Sequence, residues 1–237
     1  MNIVITMGGL GSRFRKVGYN LPKYMIKVKG LTLFEWSIKS LEAFKNDKFI
    51  FVVKREDNAF EFISEKCKEN DIVNYSVVEI EKLTSGQAET VLFASSKWNE
   101  NEELFIYNID TYVDSGILSP IYIKGDGFIP CFKADGTHWS FVKLDNNRRA
   151  IEVREKNRIS NNCSIGAYYF KTCRLYIDIY QKYYSKNNNM EKNERYIAPM
   201  YNVMIDNGME VYIQDIPYSC VHVLGTPEEV EAFKNEN

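Results

Sequence analysis

Residues 1–27 read MNIVITMGGLGSRFRKVGYNLPKYMIK and contain the strand and loop around which the rest of the fold is predicted to form. The apolar run at 3–7 predicts a buried β-strand, which leads directly into a glycine-rich loop. Glycines let backbone amides approach a ligand closely, and successive amides form a concavity for phosphate oxygens. The same stretch supplies four cations: Arg13, Arg15, Lys16 and Lys23. This opening therefore predicts a nucleoside triphosphate site at the end of a strand.

Strand and helix patterns alternate through the first half of the chain. Apolar runs predict strands at 3–7, 49–53, 75–80 and 104–109, and amphipathic spacing predicts helices at 32–44, 56–70 and 88–98. This order is typical of an open parallel sheet, whose ligands bind at the carboxyl ends of its strands. The loop at 8–13 and Asp110 each follow a strand, so we expect the fold to bring them together.

The second half has a different pattern, in which short strands and turns precede further helices. Strands are predicted at 127–133, 140–144, 163–170, 210–214 and 219–223, and helices at 173–185, at 194–207 and after Thr226-Pro227-Glu228-Glu229. Gly208 is a predicted left-handed stop for the second of these helices, and 187–189 a predicted loop. We find no internal repeat.

Composition excludes several classes of protein. The chain has 237 residues, 45% of them hydrophobic, and a net charge of −2, which favours one globular domain and gives no case for nucleic-acid binding. Five widely spaced cysteines and two histidines favour neither a disulfide framework nor a structural zinc site. No segment has the composition of a secretory signal or a membrane span, so we expect a soluble, cytoplasmic protein.

The glycine loop lacks the residues of two common nucleotide-binding fingerprints. A dinucleotide-binding loop has a third glycine three residues after Gly11, where this chain has Phe14. An NTPase loop ends in Gly-Lys-Ser/Thr, where this chain has Ser12-Arg13. The pattern that is present, Gly-Gly-x-Gly-Ser-Arg and then Pro22-Lys23, resembles the signature of the nucleotidyltransferases that activate sugar phosphates and related small phosphates.

The resemblance continues through Asp110 and Glu155-Lys156 to Gly225-Thr226-Pro227, nearly the whole chain. It implies an α/β fold, a Rossmann-like three-layer sandwich with a mostly parallel central sheet and a small inserted acceptor-binding region. Residues 1–237 would form one domain, with a nucleotide-binding half at 1–112 and an acceptor-binding half at 113–237.

The resemblance also implies roles for the donor-side residues. Met7, Gly8, Gly9 and Gly11 would hold the nucleotide, Arg13 the β- and γ-phosphates, and Lys23 the α-phosphate, where charge develops during attack. Transfers of this kind depend mainly on positioning and charge neutralisation, which fixed cations supply. Gly86 and Gln87 stand where the family reads the base, and the amide of Gln87 offers a donor and an acceptor to a pyrimidine edge.

Metal and acceptor residues follow from the same resemblance. Asp110 would bind Mg²⁺, a hard ion that takes oxygen ligands. Glu155 and Lys156 would bind the acceptor, the lysine through its phosphate, although Asn157 replaces the proline of the family pattern. Asn108 is a further acceptor-binding candidate, and we expect its side chain on the opposite side of the sheet from that of Asp110.

The clearest departure from the family pattern is near the C-terminal end of the sequence. Many sugar nucleotidyltransferases carry a metal-binding aspartate two residues before Gly-Thr, where this chain has Val223. The adjacent His222 would face away from the site on a strand and is a poor Mg²⁺ ligand. Asp110 is therefore expected to bind the ion alone, or with a substitute such as Asp215.

The implied function is Mg²⁺-dependent transfer from an NTP, with a pyrimidine favoured, to a small phosphorylated acceptor with release of pyrophosphate. A sugar 1-phosphate is the first expectation, in the supply of surface polysaccharide precursors. Two alternatives stay open: a cytidylyltransferase acting on a phosphocholine-like acceptor, and a non-catalytic nucleotide or nucleotide-sugar binding module. A glycosyltransferase of similar fold would need Asp-x-Asp where Asp110-Thr111-Tyr112 stands. The base, the acceptor and the oligomeric state are left open by the sequence.

Overall fold

The computed structural model describes residues 1–185, 190 and 194–236. The strands in this part of the chain are β1 (Asn2–Thr6), β2 (Lys27–Val28), β3 (Leu31–Thr32), β4 (Lys48–Lys54), β5 (Tyr75–Ile80), β6 (Leu104–Asn108), β7 (Thr111–Val113), β8 (Gly127–Lys133), β9 (Ser140–Leu144), β10 (Ala150–Glu155), β11 (Asn162–Ser164), β12 (Ala167–Phe170), β13 (Val211–Ile216) and β14 (Val221–Val223). The α-helices are α1 (Ser12–Lys16), α2 (Leu33–Ser40), α3 (Phe60–Glu69), α4 (Gln87–Phe93), α5 (Cys173–Tyr184), α6 (Tyr201–Asp206) and α7 (Pro227–Asn235). Short 3₁₀ helices occur at Lys23–Met25, Glu42–Phe44, Arg55–Asp57, Ala94–Ser96, Pro120–Tyr122, Ala198–Met200 and Tyr218–Cys220.

One ten-stranded sheet runs through the molecule in the order β10-β9-β11-β8-β12-β6-β1-β4-β5, with β13 paired to β8. The strands β6, β1, β4 and β5 are all parallel, and β13 is parallel to β8. Antiparallel pairing begins where β12 meets β6. The predicted α/β, Rossmann-like fold is confirmed, and its four-stranded parallel block β6-β1-β4-β5 is built by the first half of the sequence.

Alternating side chains of the central strands fill a separate core on each face of the sheet. Ile3 and Ile5 of β1 lie in the core that also takes in α2 and α3. Val4 lies in the core on the other face, which takes in α4, α5 and α6. Two covered faces explain why the central strands are continuous apolar runs. A third, smaller cluster joins α1 and α7 through Phe14 and Phe233.

Three element predictions for the second half need correction. Residues 163–170 form two strands, because Gly166 has a left-handed backbone (φ 83°) that interrupts the pairing. Residues 150–155 form a strand that the sequence did not predict, since a register shift within β10 disturbs its two-residue alternation. The helix predicted at 194–207 is wrong at its start: the α-helix begins only at Tyr201, after a 3₁₀ turn that contains Pro199. The predicted loop at 187–189 lies outside the described residues.

The other predicted elements agree with the structure to within a few residues. The predicted helix at 56–70 is a 3₁₀ turn at Arg55–Asp57 followed by α3. All five cysteines are free thiols, and four of them are buried. Within the described part of the chain, no helix has the length and apolar character needed to cross a bilayer.

Candidate active site

A cleft of about 760 Å³ opens at the carboxyl ends of β1 and β6. Its lining is drawn from residues 6–14, 83–87 and 108–110, together with Lys23, Tyr24, Thr90, Glu194, Tyr196 and Gly225. Volumes of this order are usual for sites that bind small molecules. In an open α/β sheet this edge is where ligands bind, because neighbouring connections diverge from it. The predicted meeting of the glycine loop with Asp110 is therefore observed.

The glycine loop forms one wall of the cleft. The amide of Met7 donates to the carbonyl of Val52 at 2.7 Å, which extends the parallel pairing to the start of the loop. Gly11 has a left-handed backbone (φ 59°) and precedes the short helix α1. The side chain of Phe14 is buried beneath the loop, whereas that of Arg13 is exposed at the cleft. The long side chain of Arg13 therefore places a cation at the mouth of the cleft, and the buried ring of Phe14 anchors the loop below it.

Lys23 and Asp110 meet across the cleft. The Lys23 Nζ donates to Asp110 Oδ2 in an ion pair, and the two side chains are 18% and 29% exposed. Lys23 begins a 3₁₀ turn after Pro22, and Asp110 follows β6. Neither charge is fully buried, so each can exchange its partner for a charged group of a ligand without a large desolvation cost. The pair therefore places one positive and one negative side chain side by side in the cleft lining.

Gln87 and Asn108 form the floor between β1 and β6. The Gln87 side-chain NH₂ donates to Asn108 Oδ1 at 2.6 Å and to Thr6 Oγ1 at 3.4 Å. These bonds occupy both amide hydrogens, which leaves the carbonyl oxygen as the group that Gln87 can offer to a base. The expectation that Asn108 faces away from Asp110 is wrong, since both line the cleft. Residues two apart share a face in a strand.

Gly86 allows two segments that are distant in sequence to touch beside the cleft. A β-carbon at this position would lie 2.6 Å from the Arg195 carbonyl oxygen and 2.7 Å from its nitrogen. Gly86 also has a φ of 140°, which favours glycine. Arg195 is extended here, because its amide donates to Ser85 O at 2.7 Å and its carbonyl accepts from Ala88 N at 3.0 Å. Close packing is thus a role for Gly86 that its sequence pattern did not indicate.

Glu155 and Lys156 lie beside the cleft and not in its lining. Glu155 ends β10, is 7% exposed and accepts a hydrogen bond from the Ser140 hydroxyl. Burial of the Tyr168 hydroxyl raises the pKa of Tyr168, and the negative charge of Glu155 raises it further. Lys156 has a left-handed backbone (φ 51°), and its Nζ donates to the hydroxyl of Tyr196, which does line the cleft. The structure therefore connects the Glu155-Lys156 pair to the cleft through Tyr196.

The structure places Val223, which stands where the family has the aspartate, and also His222 and Asp215. Val223 lies in β14 and lines a second cavity, of about 990 Å³, and is not part of the cleft lining. His222 is held by Asp114 (3.2 Å) and Glu236 (2.8 Å), away from the cleft as predicted. Asp215 forms ion pairs with Lys133 and Arg148 and is not part of the cleft lining, so its suggested role as a substitute is wrong.

Sequence reasoning missed several residues of the cleft. Thr84 and Ser85 were given no role, and Glu194 and Tyr196 were predicted to lie in a helix, but all four line the cleft. Their signal was weak, because Pro199 was the one indication that an α-helix does not run through residues 194–200. Among residues 1–185, 190 and 194–236, no group of three or more histidine, cysteine or acidic side chains could hold a metal ion. Mg²⁺ commonly takes only one or two carboxylates plus substrate phosphates, so Asp110 is compatible with that ion.

Comparisons with known proteins agree with the fold. A family model described as nucleotidyl transferase matches residues 2–214. A nucleoside-diphosphate-sugar pyrophosphorylase from Vibrio cholerae RC9 is similar in structure, with a TM-score of 0.92, 34% identity and coverage of 99% of this chain and 100% of that chain. An inositol-1-phosphate CTP transferase from T. maritima shares the fold, with a TM-score of 0.73, 18% identity and coverage of 96% and 90%.

A curated relative is more distant and longer. A Sulfolobus acidocaldarius protein described as a candidate mannose-1-phosphate guanyltransferase is 23% identical over 178 residues, which cover 72% of this chain and 48% of that protein. The matched part of this chain thus spans about half the length of that relative. The family match over most of the sequence confirms the predicted resemblance. The chain belongs to the nucleotidyl transferase family.

Proposed function

We propose that this protein is a Mg²⁺-dependent nucleotidyltransferase that joins an NTP to a sugar 1-phosphate and releases pyrophosphate. The observation that carries the proposal is the Lys23–Asp110 pair, set opposite a glycine loop at the carboxyl edge of a parallel sheet. A cation for phosphate and a carboxylate for a metal ion are thereby ready in one cleft. This combination suits a triphosphate that arrives with its divalent ion.

Binding of the nucleotide would replace the Lys23–Asp110 contact with two new ones. Lys23 would turn to the α-phosphate, and Asp110 would hold the Mg²⁺. Arg13, exposed at the mouth of the cleft, would contact the β- and γ-phosphates beside Gly8 and Gly9. The ion would supply further neutralisation of phosphate charge when bound.

The chemical step would be an in-line displacement at the α-phosphorus. A phosphate oxygen of the acceptor forms the new bond, the bond from the α-phosphorus to the oxygen bridging the α- and β-phosphates breaks, and pyrophosphate leaves. No side chain becomes covalently attached. Lys23 stabilises the negative charge that grows on the α-phosphate, and a fixed charge of this kind commonly contributes about 10²–10³ in rate.

The acceptor would enter on the side of Tyr196. Lys156 donates to the Tyr196 hydroxyl, and its Nζ lies 4.3 Å from the centroid of the Tyr196 ring. Because Tyr196 lines the cleft, the Lys156 ammonium group would be close to an acceptor phosphate bound there. Glu155 lies 3.7 Å from the same Nζ and fixes its position. The sugar phosphates and the inositol phosphate in the names of two relatives support an acceptor of this class.

Gln87 can offer a hydrogen-bond acceptor to a pyrimidine base, the class of base that the sequence predicts. Its NH₂ is directed to Asn108 and Thr6, so its carbonyl oxygen is the atom available to the base. The N4 amino group of cytosine and the N3 hydrogen of uracil or thymine are donors for that oxygen. The relatives' names include guanyl and CTP transfer, and the choice of base is therefore one variable of the test.

The test is a pyrophosphate-release assay with each NTP against sugar 1-phosphates, inositol 1-phosphate and phosphocholine, with Mg²⁺ present. Release with one NTP and a sugar 1-phosphate is the expected result. Activity only with phosphocholine would replace the sugar acceptor with the alternative class. Tight NTP binding without release in any combination would contradict the enzyme and leave the binding module.

A further inference from the structure

We propose that Glu229, on the first turn of α7, supplies the second carboxylate oxygen for the cation that Asp110 binds. The inference rests on the proposed function, which brings a divalent ion to Asp110. Glu229 would then take the role of the metal-binding aspartate of the family pattern, which Val223 cannot perform. Glu229 stood in the sequence only as part of a helix-start pattern, Thr226-Pro227-Glu228-Glu229.

Gly225 shows that the two carboxylates converge. A β-carbon on Gly225 would lie 3.2 Å from Asp110 Oδ2 and 3.3 Å from Glu229 Oε2. Both oxygens therefore approach one point, which is open because glycine has no side chain. The φ of Gly225 lies outside the left-handed region, so the backbone itself does not require glycine. The space beside it is the reason that the position suits glycine.

Glu229 Oε2 is buried and has no hydrogen-bond partner in the part of the chain that the structure describes. A buried carboxylate oxygen without a partner is costly, and native structures usually satisfy such atoms with protein, water or an ion. A divalent cation at the Gly225 point would satisfy it. Asp110 Oδ2, on the other side of that point, is already the acceptor from Lys23.

The backbone fixes Glu229 relative to Asp110. The amide of Leu224 donates to the Asp110 carbonyl at 2.8 Å, and Val223 pairs with Thr111 where β14 meets β7. The Thr226 hydroxyl then accepts from the Glu229 amide at 3.2 Å, which starts α7. Only a few residues separate these anchors, so the position of the carboxylate is set by short, bonded segments. Preorganisation of this kind is what a metal ligand requires.

Charge balance supports the same conclusion. Lys23 neutralises Asp110 in the nucleotide-free protein, and the proposed reaction moves Lys23 to the α-phosphate. The carboxylates of Asp110 and Glu229 would then lie near Gly225 without a cation between them. Two negative charges this close together repel each other strongly in a partly buried site. A cation between them removes that repulsion. Mg²⁺ accepts this donor set, since it takes one or two carboxylates along with phosphate oxygens and water.

Binding of Mn²⁺ alone, followed by electron paramagnetic resonance, tests the inference without using turnover. We expect Glu229→Gln to weaken Mn²⁺ at least about tenfold, as removal of metal-site groups commonly does. Glutamine is also a good residue at this position of a helix start, so a purely structural role predicts no change. Glu228→Gln removes a neighbouring exposed charge and is the matched control, with wild-type affinity expected.

Thermal unfolding with and without Mn²⁺ gives a second readout. Mn²⁺ should raise the unfolding temperature of the wild type, because a ligand that binds only the folded state stabilises it. That increase should shrink in Glu229→Gln and in Gly225→Ala, whose methyl group would occupy the meeting point. If Glu229→Gln destabilises the fold too far for titration, Gly225→Ala carries the test.

The outcomes separate the two proposals. Wild-type Mn²⁺ affinity in Glu229→Gln, together with loss in Asp110→Asn, would overturn the role of Glu229 and leave the proposed function intact. Equal Mn²⁺ affinity in the wild type and in Asp110→Asn would show that Asp110 does not bind the cation. That result would overturn both the role of Glu229 and the proposed function. Weakened binding in Glu229→Gln and Asp110→Asn, but not in Glu228→Gln, is the result that we expect.

Discussion

Two helices of this protein begin with the same pattern, Thr-x-x-Glu, and use it differently. At α2 the Thr32 hydroxyl accepts from the Glu35 amide at 3.2 Å, and Glu35 Oε2 accepts from the Thr32 amide at 2.8 Å, which completes a capping box. At α7 the Thr226 hydroxyl accepts from the Glu229 amide, but the buried Glu229 Oε2 has no hydrogen-bond partner among the described residues. Glu35 caps its own helix, whereas Glu229 Oε2 lies 3.3 Å from the place that a β-carbon on Gly225 would take.

The surroundings explain the difference. Glu35 is 7% exposed and lies 3.4 Å from Lys66. Burial alone would raise the pKa of Glu35, but its hydrogen bonds with Thr32 and the charge of Lys66 outweigh burial and hold the pKa below its ordinary value. Glu229 has Gly225 and Asp110 as neighbours instead. The same short motif can therefore satisfy itself or leave an oxygen for a ligand, and tertiary contacts decide which.

The largest effect should come from Lys23, which we propose neutralises charge on the α-phosphate. Lys23→Ala should lower kcat by about 100-fold or more, because it removes a fixed charge at the α-phosphate. The unfolding temperature should change little, since Lys23 pairs at the edge of the core. Steady-state kinetics checks this, with Lys27→Ala, an exposed residue outside the cleft lining, as the control. Near-native turnover in Lys23→Ala would contradict the proposed role of Lys23 at the α-phosphate.

The next effect separates the two glutamates directly. Glu229→Gln should lower turnover about ten- to a hundredfold at limiting Mg²⁺, as loss of a metal-site group does, and a higher Mg²⁺ concentration should restore part of it. Glu35→Gln should keep wild-type turnover, because Glu35 serves the start of α2. Turnover of both variants as a function of Mg²⁺ checks the contrast. Equal behaviour of the two variants would show that both glutamates are ordinary caps.

The smallest effect concerns stability and its pH dependence. Glu35→Gln should lower the free energy of unfolding by about 1–2 kcal/mol at pH 7, since it removes the charge from buried hydrogen bonds. The pKa of Glu35 is lowered in the folded protein, so its stabilisation is complete above the unfolded value of about 4.3 and is lost as the pH falls through the folded value. Urea unfolding at neutral and acid pH should therefore show the two proteins converging in acid. A constant difference would contradict this account.

Much of the donor side could be predicted from sequence, and the reason is physical. The strands β1, β4 and β6 are buried on both faces, so they appear as unbroken apolar runs. The carboxyl ends of parallel strands lie at one edge of the sheet, so the sequence alone predicts that Asp110 lies beside the glycine loop.

The second half of the chain was less predictable because its elements break simple periodicity. The register shift in β10 buries Ala150, Val153 and Glu155, a spacing that fits no regular strand. Tyr196 was assigned to a helix, although its neighbour Arg195 is held in extended pairing with the loop around Gly86. Glu229 could not be found at all, since a helix-start pattern does not state where its carboxylate points.

The most direct test of the central claim follows the fate of labelled phosphate. With the NTP and acceptor identified by the pyrophosphate assay, ³²P at the α-position should appear in the NDP-linked product, and ³²P at the γ-position should appear in pyrophosphate. Transfer of the γ-label to the acceptor, or its release as orthophosphate, would contradict nucleotidyl transfer in this cleft.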